Sequence, residues 1–267
     1  MTKLNRILLT GAAGNLGRAL RPRLAALALK RRLGDIAALD NPADGEEIVQ
    51  CNLADFEAVQ AMVNDCDGII HLGGISVERT FSEILDGNII GQYNLYEAAR
   101  KAGVKRIVFA SSNHTVGFHE RTTKLDADSV TRPDSLYGVS KVYGEAIARL
   151  YYDKFGIETA IVRIGSCFPK PLDHRMLSTW LSADDFFRLI ERAFSVPHLG
   201  CPIIYGVSDN KDIWWNNEKT AYLGWVPQDT SDVFRDDFPK PDQNTGKAER
   251  YQGGAFAAAG HYEDSES

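Results

Sequence analysis

Short apolar runs alternate with longer amphipathic stretches along the first 165 residues of the chain. The runs include RILLT, GIIHL, KRIVFAS and ETAIVRI, and they are apolar at nearly every position instead of at every second one. Strands of this kind are buried on both faces of a sheet, which happens when the sheet is parallel and helices cover each side. The pattern therefore predicts an α/β fold with a doubly wound parallel sheet.

The remaining sequence predicts a smaller second portion. The alternation breaks after residue 165, and one helix (SADDFFRLIERAF) and one strand (CPIIYGV) follow. We therefore predict a nucleotide-binding domain over 1–165 and a small substrate-binding portion, partly joined to the sheet, over 166–255. The polar, acidic residues 256–267 are expected to fray.

Composition and charge exclude several classes of protein. The formal net charge is -6 and no basic run is present, which argues against a nucleic-acid partner. No apolar segment approaches the ~20 residues of a membrane helix, so we expect a cytoplasmic protein without a membrane partner. The cysteines form no CxxC pair and have no histidine at ligand spacing, which predicts reduced thiols and no metal at Cys51, Cys66, Cys167 and Cys201.

A glycine-rich turn lies between the first strand and the first helix. In LLTGAAGNLGRAL, the glycines allow a tight turn and let the backbone approach a pyrophosphate at the helix N-terminus. The three glycines therefore predict the dinucleotide site of a Rossmann-type sheet. Three glycines at this spacing can also form an ordinary turn. The predicted cofactor contacts at this turn are Gly11, Gly14, Asn15, Leu16 and Gly17.

A carboxylate on the second strand should select the dinucleotide. We predict a helix over residues 15–29 and a second strand DIAALD over 35–40, which ends at Asp40. A carboxylate there would accept the adenosine ribose hydroxyls and repel a 2'-phosphate, so NAD is favoured over NADP. Asp40 could instead be a turn residue.

Further strand ends complete the predicted cofactor site. They place side chains beside the adenine and where the dinucleotide crosses the sheet, although each could be only a turn at the sheet edge. These residues are Asn52, Leu53, Leu72, Gly73, Gly74 and, at the end of ETAIVRI, Ile164.

A serine, a tyrosine and a lysine suggest chemistry at the same edge. The strand in IVFASSNHTVG delivers Ser112 to the carboxyl edge of the sheet, and Tyr137 and Lys141 lie four residues apart on one helix face. A tyrosine hydroxyl has a pKa near 10, so a neighbouring ammonium is needed to favour the phenolate. Ser112 could hold the substrate oxygen while Tyr137 removes an alcohol proton and hydride leaves for a nicotinamide.

This combination resembles the extended short-chain dehydrogenase/reductases over residues 3 to about 210. In closer detail, HLGGISVE, FASSNHTVG, YGVSK, VRIGSC and RMLSTW are similar to the bacterial uronate dehydrogenases. That resemblance implies NAD-dependent oxidation of the anomeric carbon of galacturonate or glucuronate to an aldarolactone. It implies that Tyr137 is the base and that Lys141 serves both Tyr137 and the nicotinamide ribose. The residues that it assigns to the sugar acid are Ser76, Ser112, Asn113, His114, Ser166 and Arg175.

The resemblance leaves two cofactor positions to test. Asn88 matches the asparagine of the family's active-site helix and is included in the predicted cofactor site. Asn52 departs from the pattern, because such families often carry aspartate there. Relatives dimerise through helices corresponding to about 82–102 and 134–155, so we expect a homo-oligomer.

Other interpretations remain open. A sugar epimerase or dehydratase would use the same tyrosine and lysine without net release of NADH, and an NAD-sensing regulator would typically lose one of them. His114 could be only a hydrogen-bonded residue at a strand end, and Arg175 a surface residue in a loop. Trp214 and Trp215 are interpreted as core aromatics.

Overall fold

A computed structural model describes residues 3–239 and 246–262. In this part of the chain, seven parallel strands form one sheet in the order β3-β2-β1-β4-β5-β6-β7. The order reverses between β1 and β4, and a crevice at the carboxyl ends of the strands is the usual ligand site of such sheets. The predicted doubly wound α/β fold is confirmed.

The strands are β1 Leu4–Thr10, β2 Ala28–Asp35, β3 Glu46–Gln50, β4 Gly68–His71, β5 Arg106–Ser112, β6 Glu158–Ile164 and β7 Ile203–Gly206. The α-helices are α1 Asn15–Leu20, α2 Leu24–Leu27, α3 Phe56–Val63, α4 Phe81–Ile84, α5 Gly91–Ala102, α6 Leu136–Phe155, α7 Met176–Thr179, α8 Ala183–Ser195, α9 Lys247–Arg250 and α10 Ala255–Ala258. A π-helical segment, Leu85–Ile90, joins α4 to α5, and short 3-10 helices lie at Arg21–Arg23, Asn113–Val116, Glu218–Leu223 and Ser231–Asp237.

Two apolar cores lie on the two faces of the sheet. Ile7 and Leu9 of β1 pack with side chains of α1, α2 and α8, and Leu8 between them packs on the other face with α3, α5 and α6. Successive strand residues point to opposite faces, so a strand buried on both sides must be apolar throughout. This is why the apolar runs predicted the strands well.

The second strand lies elsewhere than predicted. The residues predicted as one helix over 15–29 form α1, a 3-10 turn at Arg21–Arg23 and α2, and β2 follows at Ala28–Asp35. Most of β2 has the polar sequence KRRLGD, in which Lys30 is exposed and Arg31 is half-buried. Buried Arg32 is held by Glu47 and by the main-chain oxygens of Met62 and Asn64. The polarity of β2 hid it from the apolar pattern, and the prediction of a strand over 35–40 is wrong.

The residues after β6 return repeatedly to the sheet. β7 pairs with β6, and α8 covers the same sheet face as α1. Trp214 and Trp215 are buried against Tyr205 of β7, as expected for core aromatics. Within the described residues, no helix has both the length and the apolar composition that crossing a bilayer requires.

Candidate active site

A cavity of about 820 Å³ opens at the carboxyl edge of the sheet. Its walls come from the turn after β1, from the ends of β2, β4, β5 and β6, from the first turns of α6, and from two segments near residues 165–176 and 253–256. The cavity is therefore built where the strand order reverses, and one end of it is close to Tyr137 and Lys141.

The glycine turn forms one wall of the cavity. Gly11 has φ 70°, and a Cβ on it would lie 2.7 Å from the main-chain carbon of Leu72. A Cβ on Gly17 would overlap the carbonyl oxygen of Gly11. Both positions therefore require glycine. Gly14, Asn15 and Leu16 also line the cavity, so the predicted cofactor turn lies in the predicted place.

The carboxylate beside this turn belongs to Asp35, which sequence reasoning missed. Its Oδ2 accepts a hydrogen bond of 2.8 Å from the Ala13 amide, and the residue lines the cavity at the end of β2. Asp40 does not line the cavity; its side chain is 81% exposed and pairs with Arg18 at 3.1 Å. The prediction that Asp40 ends the second strand is wrong because β2 ends five residues earlier, at Asp35. The spacing from the glycines would have allowed Asp35, had the polar run been interpreted as a strand.

The remaining predicted cofactor residues fall into two groups. Those that line the cavity are Asn52, Leu53, Leu72, Gly73, Gly74 and Ile164. Asn88 does not line it. Its amide accepts from the Ile75 amide at 2.7 Å and donates to Ser140 Oγ at 2.8 Å, so it fastens the loop after β4 to α6.

Helix α6 delivers the tyrosine and the lysine to the cavity. It begins after Ser135, whose Oγ accepts from the Gly138 amide, and a Cβ on Gly138 would lie only 2.5 Å from the His114 carbonyl oxygen. Lys141 Nζ donates to the Ala110 carbonyl at 3.0 Å and lies 5.6 Å from the centre of the Tyr137 ring. The helix spacing therefore brings the pair together, as predicted.

Burial perturbs both of these groups. It raises the pKa of Tyr137 to about 12, and the hydrogen bond with the Ser112 side chain opposes this rise. Burial lowers the pKa of Lys141 to about 8. In each case burial disfavours the charged form. The site therefore holds a protonated phenol next to an ammonium that is costly to bury, and Ser112 lies within reach of the phenol.

Arg175 is half-buried in the cavity wall and is not an exposed residue of the loop. Its Nε donates to the Gln252 carbonyl at 2.7 Å. When the Asn113 side-chain amide is turned so that its oxygen faces the guanidinium, Arg175 Nη2 donates to that oxygen at 2.8 Å. Burial lowers its pKa to about 10, which still leaves a cation at neutral pH. No carboxylate in the described part of the chain forms an ion pair with Arg175. The guanidinium is thus held by neutral acceptors, and the Asp173 and Asp134 carboxylates act on it without forming an ion pair.

His114 is the second polar group at this end of the cavity. Its Nδ1 lies 2.8 Å from the buried Asp134 carboxylate, so its Nε2 is the ring nitrogen left for a ligand. Ser166 and Ser76 line the same cavity, and Ser166 Oγ shares a hydrogen bond of 2.9 Å with Thr179. The structure therefore brings all the residues assigned to the sugar acid to one cavity.

The end of the chain returns to the site. The Phe256 ring stacks on His114 with centroids 3.9 Å apart and lines the cavity, although fraying is predicted from residue 256. Residues 256–258 lie in α10, and residues 263–267 of the acidic tail are outside the described residues, so fraying of the tail stays a prediction. Phe256, Gln252 and Asp134 are site residues that sequence reasoning missed. The QGG sequence before Phe256 was the only local signal.

Comparison with known proteins agrees with this geometry. The model of the NAD dependent epimerase/dehydratase family matches residues 7–183. Uronate dehydrogenase of Agrobacterium fabrum is 57% identical over 95% of this chain and 97% of its own length.

Two solved structures are similar over nearly the whole chain. The glucuronic acid dehydrogenase of Chromohalobacter salexigens has a TM-score of 0.96 and 58% identity, and the match covers 98% of this chain and 99% of that one. A mutant uronate dehydrogenase of Agrobacterium tumefaciens complexed with NAD has a TM-score of 0.94 and 54% identity, with 97% and 98% covered. The chain therefore belongs to the NAD dependent epimerase/dehydratase family and, within it, to the uronate dehydrogenases.

Proposed function

We propose that this protein oxidises the anomeric carbon of an aldohexuronate, galacturonate or glucuronate, to an aldarolactone, with NAD as the oxidant. The observation that carries the proposal is Arg175. Its guanidinium, which forms no ion pair within the described residues, lines the same cavity as Ser112, Tyr137 and Lys141. A guanidinium can meet a carboxylate with two parallel hydrogen bonds, which a neutral sugar cannot form.

The chain's residues fit NAD. The glycine turn leaves no room for Cβ atoms at Gly11 and Gly17, and the Asp35 carboxylate stands where the adenosine ribose hydroxyls bind in this fold. Leu53 and Gly73 would hold the adenine side and the crossing point of the dinucleotide, respectively. When bound, NAD supplies the nicotinamide carbon that accepts the hydride.

Tyr137 removes the anomeric hydroxyl proton in this proposal. Its phenol starts protonated in the buried site, so the phenolate must be stabilised before it can act as a base. The Lys141 ammonium near the ring favours the phenolate, and the Ser112 hydroxyl can hold the substrate oxygen. Phe256 and His114 cover this end of the cavity and keep water away from the reacting carbon.

The alternatives make different demands on the site. An epimerase or dehydratase would use Tyr137 and Lys141 but would return the hydride to the substrate and release no net NADH. An NAD-sensing regulator needs neither residue. The cation at Arg175 favours a free uronate over a neutral sugar. The relatives named uronate dehydrogenase and glucuronic acid dehydrogenase support the same choice.

The test is NADH formation, followed by absorbance, with galacturonate, glucuronate, galactose and a nucleotide sugar. A uronate should give net NADH, and Tyr137→Phe should lower kcat by about two orders of magnitude or more while NAD still binds. Turnover of Tyr137→Phe within a few-fold of wild type would remove Tyr137 as the base. No net NADH with either uronate would overturn the proposed reaction.

The role of Arg175 is tested by comparing a charged and a neutral substrate. Arg175→Ala should cost roughly 2 to 5 kcal/mol in kcat/KM for the uronate, and much less for galactose. Lys170→Ala is the matched control, because it removes an exposed cation from the same segment without altering the cavity wall. Equal losses for both sugars would mean that Arg175 only supports the loop.

We also propose that the protein is a cytoplasmic homo-oligomer. Helices α5 and α6 present exposed apolar side chains, among them Tyr93, Val139 and Leu150. All four cysteines are free, as expected where thiols stay reduced. Light scattering on the purified protein tests the oligomeric state, and a monomeric mass would contradict it.

A further inference from the structure

The first turn of α6 is capped by a residue from a distant loop. The Leu136 amide donates to Glu78 Oε1 at 3.0 Å, and the Tyr137 amide donates to Glu78 Oε2 at 2.8 Å. These amides are among those that have no partner inside a helix. The N-cap residue, Ser135, accepts a hydrogen bond only from the Gly138 amide. Glu78 forms no ion pair with any residue in the described ranges, so the helix amides are the main partners of its charge.

Glu78 belongs to the loop of residues 72–80, which follows β4 and forms part of the cavity wall. Leu72, Gly73, Gly74 and Ser76 of this loop all line the cavity. The same loop is fastened to α6 a second time. Asn88 binds the main chain of Ile75 and also Ser140 Oγ, and Ser140 Oγ donates to the Tyr137 carbonyl at 2.7 Å. Both main-chain groups of Tyr137 are therefore connected to the 72–80 loop.

We infer that Glu78 is a positioning residue for the proton transfer by Tyr137. Its carboxylate fixes the main chain of Tyr137 relative to the loop that lines the cofactor and substrate sides of the cavity. The bonds are charge-assisted, and a carboxylate at a helix N-terminus also interacts favourably with the helix dipole. The inference concerns the reaction given under the proposed function and rests on it.

A purely structural cap would behave differently. Removing an ordinary cap lowers the stability of a protein and leaves the chemical step unchanged. A positioning residue must change the rate of the chemical step itself, because a misplaced catalytic group loses its near-attack geometry. The kinetic isotope effect for a substrate deuterated at the anomeric carbon reports that step.

The experiment compares Glu78→Ala and Glu78→Gln with wild type, using galacturonate with hydrogen or deuterium at the anomeric carbon. Glu78→Ala should lower kcat by roughly 10- to 100-fold, with NAD affinity nearly unchanged. Its isotope effect should become larger than that of wild type. Glu78→Gln keeps one acceptor oxygen, but its side-chain NH2 group faces the second main-chain N–H and cannot accept from it. Its kcat should therefore lie between those of wild type and Glu78→Ala.

Glu83→Ala is the matched control. Glu83 forms a capping box with Thr80 at the far end of the same loop and makes no hydrogen bond to α6. It should leave kcat and the isotope effect unchanged. Circular dichroism and thermal unfolding identify any variant that does not fold, and Glu78→Gln then carries the test.

Two failures are distinguishable. If wild type forms NADH from a uronate but both Glu78 variants keep the wild-type kcat and isotope effect, Glu78 is only a helix cap and the inference is wrong. An equal loss of kcat in Glu83→Ala would show general loosening of the loop and would also overturn it. If wild type forms no NADH from any uronate, the proposed function fails, and the inference fails with it.

Discussion

The buried ammonium of Lys141 lowers the stability of the folded protein, although the proposed reaction needs it. Its ammonium is buried, with a single main-chain acceptor at Ala110, and burial lowers its pKa to about 8. The unfolded chain restores the usual value of 10.5. Between these two pH values, the unfolded state binds more protons than the folded state, so the free energy of unfolding rises with pH. The penalty is complete below about pH 8.

We expect Lys141→Met to stabilise the NAD-free protein at pH 7 by about 1 to 3 kcal/mol while abolishing turnover. The gain should shrink as pH rises from about 8 through 10.5, because above that range the wild-type lysine is neutral in both states. Urea unfolding at several pH values measures it. A gain that is independent of pH would mean that packing, and not the buried charge, is responsible.

Asp35 and Asp40 offer a matched pair for cofactor selection. Asp35→Asn keeps an acceptor for the Ala13 amide but removes the charge and the second acceptor, which the Ala37 amide uses. It should narrow the preference for NAD over NADP by about tenfold or more. Asp40→Asn should leave the ratio of the two kcat/KM values unchanged, because that side chain is exposed outside the cavity. If Asp40→Asn changed this ratio and Asp35→Asn did not, Asp40 would be the residue that binds the adenosine ribose.

The C-terminal segment 246–258 is the element that completes the substrate end of the cavity. Gln252 is fully buried, and its side chain bonds Trp215 Nε1 and the carbonyls of Glu120 and Thr123. Its carbonyl holds Arg175. Gln252 is thus a buried contact between this segment and the body of the protein, and its carbonyl also holds the guanidinium in place.

Gln252→Ala should loosen this segment locally. It leaves the Trp215 indole N–H and two carbonyls without partners, which costs about 1 to 3 kcal/mol for each unsatisfied buried group. Hydrogen exchange should speed up by tenfold or more at the amides of residues 252 and 253, which donate to His119 and Gly117. Amides of β5 serve as the control. Equal acceleration in β5 would indicate global destabilisation.

At the scale of the whole molecule, one buried ion pair joins the sheet to α6. Arg163 of β6 donates to both carboxylate oxygens of Glu145 at 2.9 and 2.8 Å and to the Tyr205 hydroxyl at 3.0 Å. The Ser111 hydroxyl donates to the same carboxylate at 2.6 Å. The network therefore connects β5, β6, β7 and the helix that carries Tyr137.

Glu145→Ala should lower the free energy of unfolding by about 3 to 5 kcal/mol, because it leaves the Arg163 charge buried without a counterion. The double variant Glu145→Leu, Arg163→Met should recover much of that loss. Glu120→Ala, which breaks an exposed pair with Arg250, should have little effect. Denaturant unfolding measures the free energy of unfolding of each variant. A small effect of Glu145→Ala would show that water reaches Arg163.

The sequence by itself determined the features that depend on local periodicity. Apolar runs predicted β1, β4, β5 and β6, because a strand buried on both faces must be apolar throughout. Helical spacing placed Tyr137 and Lys141 on one face, and the spacing of Gly11, Gly14 and Gly17 predicted the turn before α1. Each of these depends on neighbours within one turn or one strand.

Only the tertiary structure decided what depends on contacts between distant segments. β2 is a strand because it pairs with β1 and β3, although it contains Lys30, Arg31 and Arg32 in a row. The acidic residue at its end is therefore Asp35 and not Asp40. Glu78 accepts a hydrogen bond from the Tyr137 amide, which is 59 residues away in the sequence, and the Gln252 carbonyl accepts one from Arg175, which is 77 residues away. Periodicity along the chain does not predict such long-range contacts, because they form only when separate elements pack on one sheet and bring their ends to the same edge.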